Sequence, residues 1–144
     1  MTKTLLVAVD LAHPEHHATL LTKAAKLAQM EDATLAVVTV IPDFGMSIVG
    51  SFFEAGAEQK ALQDAAEALH TVVSDVLGPD EDARIQHVIR HGTAYEEILE
   101  TARQFDVDMI VMGAHRPNYG DYLLGPNAAR VVRHSTCSVV VLRD

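Results

Sequence analysis

The chain is short of cysteine, of positive charge and of long apolar runs, and each shortage removes a class of protein. Its one cysteine, Cys137, excludes an intrachain disulfide, and at the head of an apolar strand it reads as a small buried hydrophobe rather than a nucleophile. Lys and Arg number 11 against 20 Asp and Glu, a formal net charge of −9, and the basic residues form no long run. Such a molecule repels DNA, RNA and anionic membrane, so a nucleic-acid binder is not expected. The first apolar stretch, Leu5-Leu-Val-Ala-Val9, meets a carboxylate at Asp10 and is too short for a signal sequence or a membrane span, which makes the cytoplasm the expected location. There is no low-complexity tract or linker, and residues 1–144 are expected to form a single domain.

Several chemical signatures are missing as well. No G-x-x-x-x-G-K-[S/T] occurs, so no P-loop lysine cradles a γ-phosphate; no G-x-G-x-x-G follows the first strand, and no G-x-S-x-G marks a nucleophile elbow. His13 and His17 have the i, i+4 spacing of a metal pair but lack a third ligand of clear spacing, so no metal is expected there. No catalytic residue is assigned, because no general base is evident.

What the chain does have is an alternation of elements. Leu5 to Val9 is a continuous apolar run, the mark of a strand covered on both faces. Pro14 opens a helix to about Met30, with Leu20, Leu21, Ala24, Leu27 and Ala28 at helical spacing. A second strand runs from Thr34 to Val40 and stops before Pro42, completing a strand-helix-strand unit. Asp43 to Gly56 has no clear period and reads as a loop that closes over a ligand or a partner. A long helix follows from Gln59 until Gly78-Pro79, and Arg84 to Ile89 alternates as a strand near the sheet edge. Thr93 and Glu96 have capping-box spacing at the start of the next helix, with Gly92 making the turn into it. Met109 to Met112, Ala128 to His134 and Ser138 to Leu142 supply a strand, a short helix and a last strand. Five strands alternating with four helices predict a doubly wound α/β domain, without fixing the strand order.

The stretch from Gly113 to Arg130 is the centre of interest. It joins a buried strand to a helix through three glycines, and a helix N-terminus beyond a parallel strand offers a phosphate free N–H groups and about half a positive charge. Gly113 would admit backbone to a ligand, and Gly125 would supply the turn into the helix. Arg130 and Arg133 read as surface charge on that helix, and His134 as a helix-end residue. Asp10, at the end of the first strand, either receives bonds from a ligand's hydroxyls or amino group or caps the following helix; both readings stay open.

Gly113-x-x-Arg116, a loop, Gly125-Pro126-Asn127 and a final Val-rich strand resemble the carboxyl-terminal signature of universal stress proteins, G-x2-G-x9-G-[S/T]. Arg116 stands where that pattern has its second Gly, the loop is one residue shorter, and Pro126 replaces the Ser/Thr. His115-Arg116-Pro117, Tyr122-Leu-Leu-Gly125, Asn127-Ala-Ala, Val131-Val-Arg-His134 and Cys137-Ser-Val139 are similar to the UspF/UspG-like branch of this UspA superfamily. The resemblance implies an adenine-nucleotide-alpha-hydrolase-like (Rossmann-like) fold with a five-stranded parallel sheet in the order 3-2-1-4-5. It also implies an ATP-binding stress-response regulator, with or without Mg²⁺, working with a regulatory protein partner and at most slowly hydrolysing ATP or phosphorylating itself. Ala8, Val9 and Asp10 would hold the nucleoside, with Val40 meeting adenine through its backbone. Met112, Gly113, His115, Arg116, Gly125, Pro126 and Asn127 would surround the phosphates, a guanidinium at Arg116 replacing donors that Pro126 lacks. Val139, Val140, Val141 and Leu142 would pair with their twins in a homodimer. The alternatives are a nucleotide-free dimeric scaffold of the same family and a nucleotidyl or phosphoryl transferase.

Overall fold

The computed structural model describes residues 2–42, 56–114 and 125–143, apart from the side chain of Ala57. Five strands form its sheet: β1 (Lys3–Ala8), β2 (Ala33–Pro42), β3 (Gln86–Gly92), β4 (Met109–Gly113) and β5 (Ser138–Leu142). All neighbours are parallel and the order is β3-β2-β1-β4-β5, as the resemblance implied. Five α-helices alternate with them among the described residues: α1 (His17–Met30), α2 (Ala57–Leu77), α3 (Pro79–Asp82), α4 (Ala94–Gln104) and α5 (Pro126–His134). A 3₁₀ turn over Pro14–His16 leads into α1.

Period-two alternation along each strand sends its apolar residues to two separate cores. Leu5, Val7 and Val9 join Leu35, Val37 and Val111 beneath α1 and α2, where Leu21, Ala24, Leu69 and Val73 are wholly buried. Leu6, Ala36, Val38, Ile110 and Met112 face the other way, against Ile98, Leu99 and Ala102 of α4 and Ala128 and Val131 of α5. The chain therefore lays its first helices on one face and, after direction reverses at the β1–β4 boundary, its last helices on the other.

β1 and β4 are pinned at their start by Asp108, whose Oδ2 accepts the Thr4 N–H at 2.9 Å while its own N–H donates to the Thr4 carbonyl at 2.8 Å. That fixes which residues emerge together at the far ends of the two strands.

Four details differ from the sequence reading. α3 is an additional one-turn helix immediately after Gly78, whose φ of 93° and ψ of 154° break the helical path and let Pro79 start a new turn. β3 begins at Gln86 and runs through Gly92, and β2 runs through Pro42, because the β2–β3 ladder extends to a Pro42–Gly92 pair. Thr93 occupies the N-cap of α4 but its side chain makes no capping bond. The preceding Gly92 has φ 141°, and a Cβ on residue 92 would come within 3.2 Å of Glu97 Oε2. Of the expected loop from Asp43 to Gly56, all but Gly56 lies outside the described residues.

Truncating a fully buried side chain in this frame removes transfer energy and leaves a cavity. Leu21→Ala, at a position with no exposure, is expected to lower the unfolding free energy by about 2–5 kcal/mol. Met30→Ala, at 72% exposure on the same helix, should change it by about 0.5 kcal/mol or less. Urea unfolding of the two variants checks the contrast.

Candidate functional site

The end of β1 is held by hydrogen bonds that carry the chain past the last paired residue of the strand. Val9 N–H donates to the Val38 carbonyl at 2.8 Å, and the Val9 carbonyl accepts from Thr39 Oγ1 at 2.7 Å. Thr39 is 2% exposed, so this is a buried hydroxyl with a defined partner. Asp10 then turns the chain. Its Oδ1 accepts the Ala12 N–H at 3.0 Å, an Asx turn, and its carbonyl accepts both the His13 N–H at 3.1 Å and His17 Nε2 at 2.8 Å. A carbonyl oxygen can only accept, so the buried His17 ring carries a proton on Nε2.

Asp10 is therefore not a helix cap. The N-cap of the 3₁₀ turn is His13 and that of α1 is His16, neither with a side-chain capping bond. The Asp10 side chain remains 55% exposed, with Oδ2 3.8 Å from His13 Nε2. His13 and His16 also lie 3.3 and 3.8 Å from Glu15 Oε1. The backbone N–H of Glu15 and then the His13 ring hold the exposed Glu15 carboxyl below its ordinary value, so that acid stays ionised beside the two imidazoles.

The opposite wall comes from β4. Gly113 is its last residue and pairs with Leu142, and the Ala114 N–H continues the ladder to the Leu142 carbonyl at 2.9 Å. Among the described residues, a Cβ built on Gly113 would meet nothing closer than that carbonyl at 4.0 Å. The next described residue after Ala114 is Gly125, which has φ −65° and ψ 164°. Gly125, expected to supply the turn into the helix, is its N-cap, in an extended conformation that any residue adopts. Pro126 stands at the first helical position, where a missing N–H costs nothing. The N–H groups of Asn127 and Ala128 stay outside the helix's own ladder, whose described bond at this end is Ala129 to the Gly125 carbonyl at 2.9 Å.

Between these walls lies a crevice of about 590 Å³ at the carboxyl ends of β1, β2 and β4. Of the residues expected at the site, Ala8, Val9, Asp10, Val40, Met112, Gly113 and Asn127 line it together. Gly125 and Pro126 sit behind Asn127 and do not line it, while His115 and Arg116 lie outside the described residues. Further walls are Val38 and Thr39 from β2, His13 and His16 from the turn, His17 from the start of α1, and Ala94 and Ile98 from α4. Ala94 opens α4, so a second helix N-terminus faces the crevice beside that of α5. A smaller recess of about 360 Å³ continues from it between Gly92, Thr93 and Asn127.

Other residues singled out from the sequence have structural duties. The Arg130 guanidinium lies 5.1 Å from the Tyr95 ring centroid, and His134 stacks on the same ring at 6.4 Å, joining α5 to α4. Cys137 is half-buried, with Ser135 Oγ 3.4 Å from its sulfur. Val139 to Leu142 form the edge strand β5, half-buried and paired only with β4 among the described residues.

Comparison with known proteins places this architecture. The sequence profile of the Universal stress protein family matches residues 1–143. The chain is 31% identical over 147 aligned residues to Universal stress protein G of Escherichia coli O157:H7, an alignment covering 99% of this chain and all of the relative. Among solved structures it is similar to the universal stress protein UspA from Lactobacillus plantarum, with a TM-score of 0.68, 26% identity and coverage of 98% and 97% of the two chains. It also shares the fold of the universal stress protein from Archaeoglobus fulgidus in complex with dAMP, with a TM-score of 0.64, 18% identity and 96% coverage of each chain.

Thr39→Val, which keeps shape and removes the hydroxyl, strips the Val9 carbonyl of its buried donor. The expected loss is about 1–3 kcal/mol of stability, with Thr39→Ser retaining most of it, as read by chemical denaturation.

Proposed function

The chain belongs to the universal stress protein family, and on that premise we propose that its crevice binds an adenine nucleotide, ATP in the cell, and that the protein acts as a homodimeric cytoplasmic regulator of the stress response. The observation that carries this reading is the convergence of two unlike surfaces at one switch point. Val9, Val38, Val40, Met112 and Ile98 supply an apolar slot suited to a flat base. Asp10 stands at the mouth with a half-exposed carboxylate able to accept from ribose hydroxyls. Gly113 and the N-termini of α4 and α5 offer an open backbone and unpaired N–H groups suited to phosphate. The dAMP carried by the Archaeoglobus fulgidus protein, which has this fold, supports the choice of adenine.

In this reading His115, Arg116 and Asn127 provide side-chain contacts to the phosphates, with Gly125 and Pro126 setting the start of α5. Pro126 lacks the N–H and hydroxyl of a Ser/Thr version, and the role falls to the Asn127 and Ala128 N–H groups and to Arg116. Binding orders the segment from Asp43 to Gly56 and so changes the surface offered to a protein partner. Any hydrolysis or self-phosphorylation is slow. In the homodimer the β5 edges, Val139 to Leu142, pair and remove the exposed ladder. No helix among the described residues is long and apolar enough to cross a membrane.

A second reading, a nucleotide-free dimeric scaffold, is favoured by one feature, the loss of two donors at Pro126. Isothermal titration of nucleotide-stripped protein with Mg-ATP separates the two. Saturable binding of micromolar strength, about −8 kcal/mol, is expected. It should vanish in Gly113→Val, whose side chain enters the crevice while its Cβ meets no atom of the described residues closer than 4.0 Å. No heat, and no change in melting temperature with millimolar ATP, would leave the scaffold reading standing. Sedimentation equilibrium is expected to return twice the mass of the chain under both readings, and a monomer would overturn the β5 pairing.

A further inference from the structure

At the opposite end of the sheet, far from the crevice lining, three side chains from different elements meet. His70 projects from α2, Asp82 is the last residue of α3, and His87 is the second residue of β3. His70 Nδ1 lies 2.7 Å from Asp82 Oδ2, and His87 Nε2 lies 2.7 Å from Asp82 Oδ1. The backbone holds the carboxylate there: Asp82 N–H donates to the Gly78 carbonyl at 2.9 Å, and the Asp82 carbonyl accepts the Ile85 N–H at 3.0 Å. Its side chain is only 4% exposed.

A carboxylate this deeply buried is costly unless something neutralises it. Neither Lys nor Arg lies in ion-pair contact with it among the described residues, and the nearby Arg84 is paired with Glu81 at 3.5 Å. Proximity to the imidazoles also fails to satisfy it fully. Asp82 Oδ1 and His87 Nε2, although 2.7 Å apart, are both buried and make no bond of acceptable geometry. Two buried polar atoms with unspent lone pairs or protons, aimed at one point, ask for a third participant.

We propose that His70, Asp82 and His87 form a binding site for a first-row divalent transition metal ion of the zinc type. One ligand atom from each residue lies within 4.8 Å of the others. Two imidazole nitrogens with one carboxylate oxygen suit Zn²⁺ or its neighbours in the series, whereas Mg²⁺ and Ca²⁺ take oxygen ligands and Cu(I) takes sulfur. Ligand bonds of about 2.0–2.2 Å in tetrahedral array separate neighbouring ligand atoms by about 3.3 Å, so whichever of the two imidazole–carboxylate pairs at 2.7 Å supplies the ligand oxygen opens by about 0.6 Å as the ion enters. His70, with a side chain 63% exposed, has the freedom to make that movement and leaves a side open for water as the fourth ligand. The ion cancels the buried charge and ties α2, α3 and the edge strand β3 together. The proposal is independent of nucleotide binding, because none of the three residues lines the crevice.

The sequence reading expected no metal site, having weighed only His13 and His17. The ligands here are spaced by twelve and five positions across a helix, a turn and a strand, and only the tertiary fold assembles them.

The test is a Zn²⁺ titration of chelator-stripped protein, followed by calorimetry and thermal unfolding. One ion per chain is expected, with a rise in melting temperature as zinc is added. His70→Ala, at an exposed position, and the near-isosteric Asp82→Asn are expected to abolish both effects, with circular dichroism confirming that each variant is folded. X-ray absorption at the zinc edge should show two imidazoles and a carboxylate. The proposal is overturned if zinc gives no stoichiometric binding, which would leave the cluster an ion pair only. It is equally overturned if the folded variants bind zinc as the parent does, since the ion would then sit on the histidines of the crevice or elsewhere.

Discussion

A strand covered by helices on both faces has no water to satisfy its backbone, so β1 must find a hydrogen-bonded neighbour on each side. It finds β2 on one and β4 on the other, residues about thirty and about a hundred positions away. Everything else in the molecule follows from that central placement. The connection leaving β1 serves one face of the sheet and that leaving β4 serves the other, so the two connections part and a crevice opens between them. Asp108, bonded to both main-chain groups of Thr4, sets the relative register, which decides that Asp10 and Gly113 emerge as neighbours.

The crevice is rigid on one side by construction. Thr39 extends the β1–β2 ladder by a side-chain bond, and Asp10 presents a carbonyl to two donors at once while its own carboxylate closes an Asx turn. One carboxylate oxygen is thereby committed to the fold and the other remains for solvent or ligand. On the β4 side the described strand ends in backbone at Gly113.

The strands and long helices were legible because burial on both faces writes continuous apolar runs, and amphipathic helices repeat every three or four residues. The strand order was not in the periodicity; it came with the family signature. Local motifs were read less reliably. Thr93 and Glu96 have the spacing of a capping box, yet the tight turn at Gly92 brings the Glu97 carboxylate against the chain and Thr93 makes no side-chain bond. Gly125 stands at the N-cap, where the chain turns into α5, but in an extended conformation open to any residue. Thr39 was visible only as a polar interruption in Val37-Val-Thr-Val40, and its partner could not be known before β1 and β2 were paired. His115 and Arg116, which carry part of the signature, lie outside the described residues. The grouping of His70, Asp82 and His87 left no mark in sequence at all, since no single element holds two of the three.

Glycine appears in this chain under two different constraints. At Gly92 the backbone stands at φ 141° with a carboxylate pressed against the missing side chain, so the fold itself insists on glycine there. At Gly113 nothing among the described residues insists: the strand geometry is ordinary and the nearest described atom to a Cβ is a carbonyl 4.0 Å away. A library of substitutions sorted by cellular abundance would therefore deplete position 92 and pass position 113 unmarked. The difference between such a map and one sorted by activity would outline, residue by residue, what the molecule keeps for its work rather than for its shape.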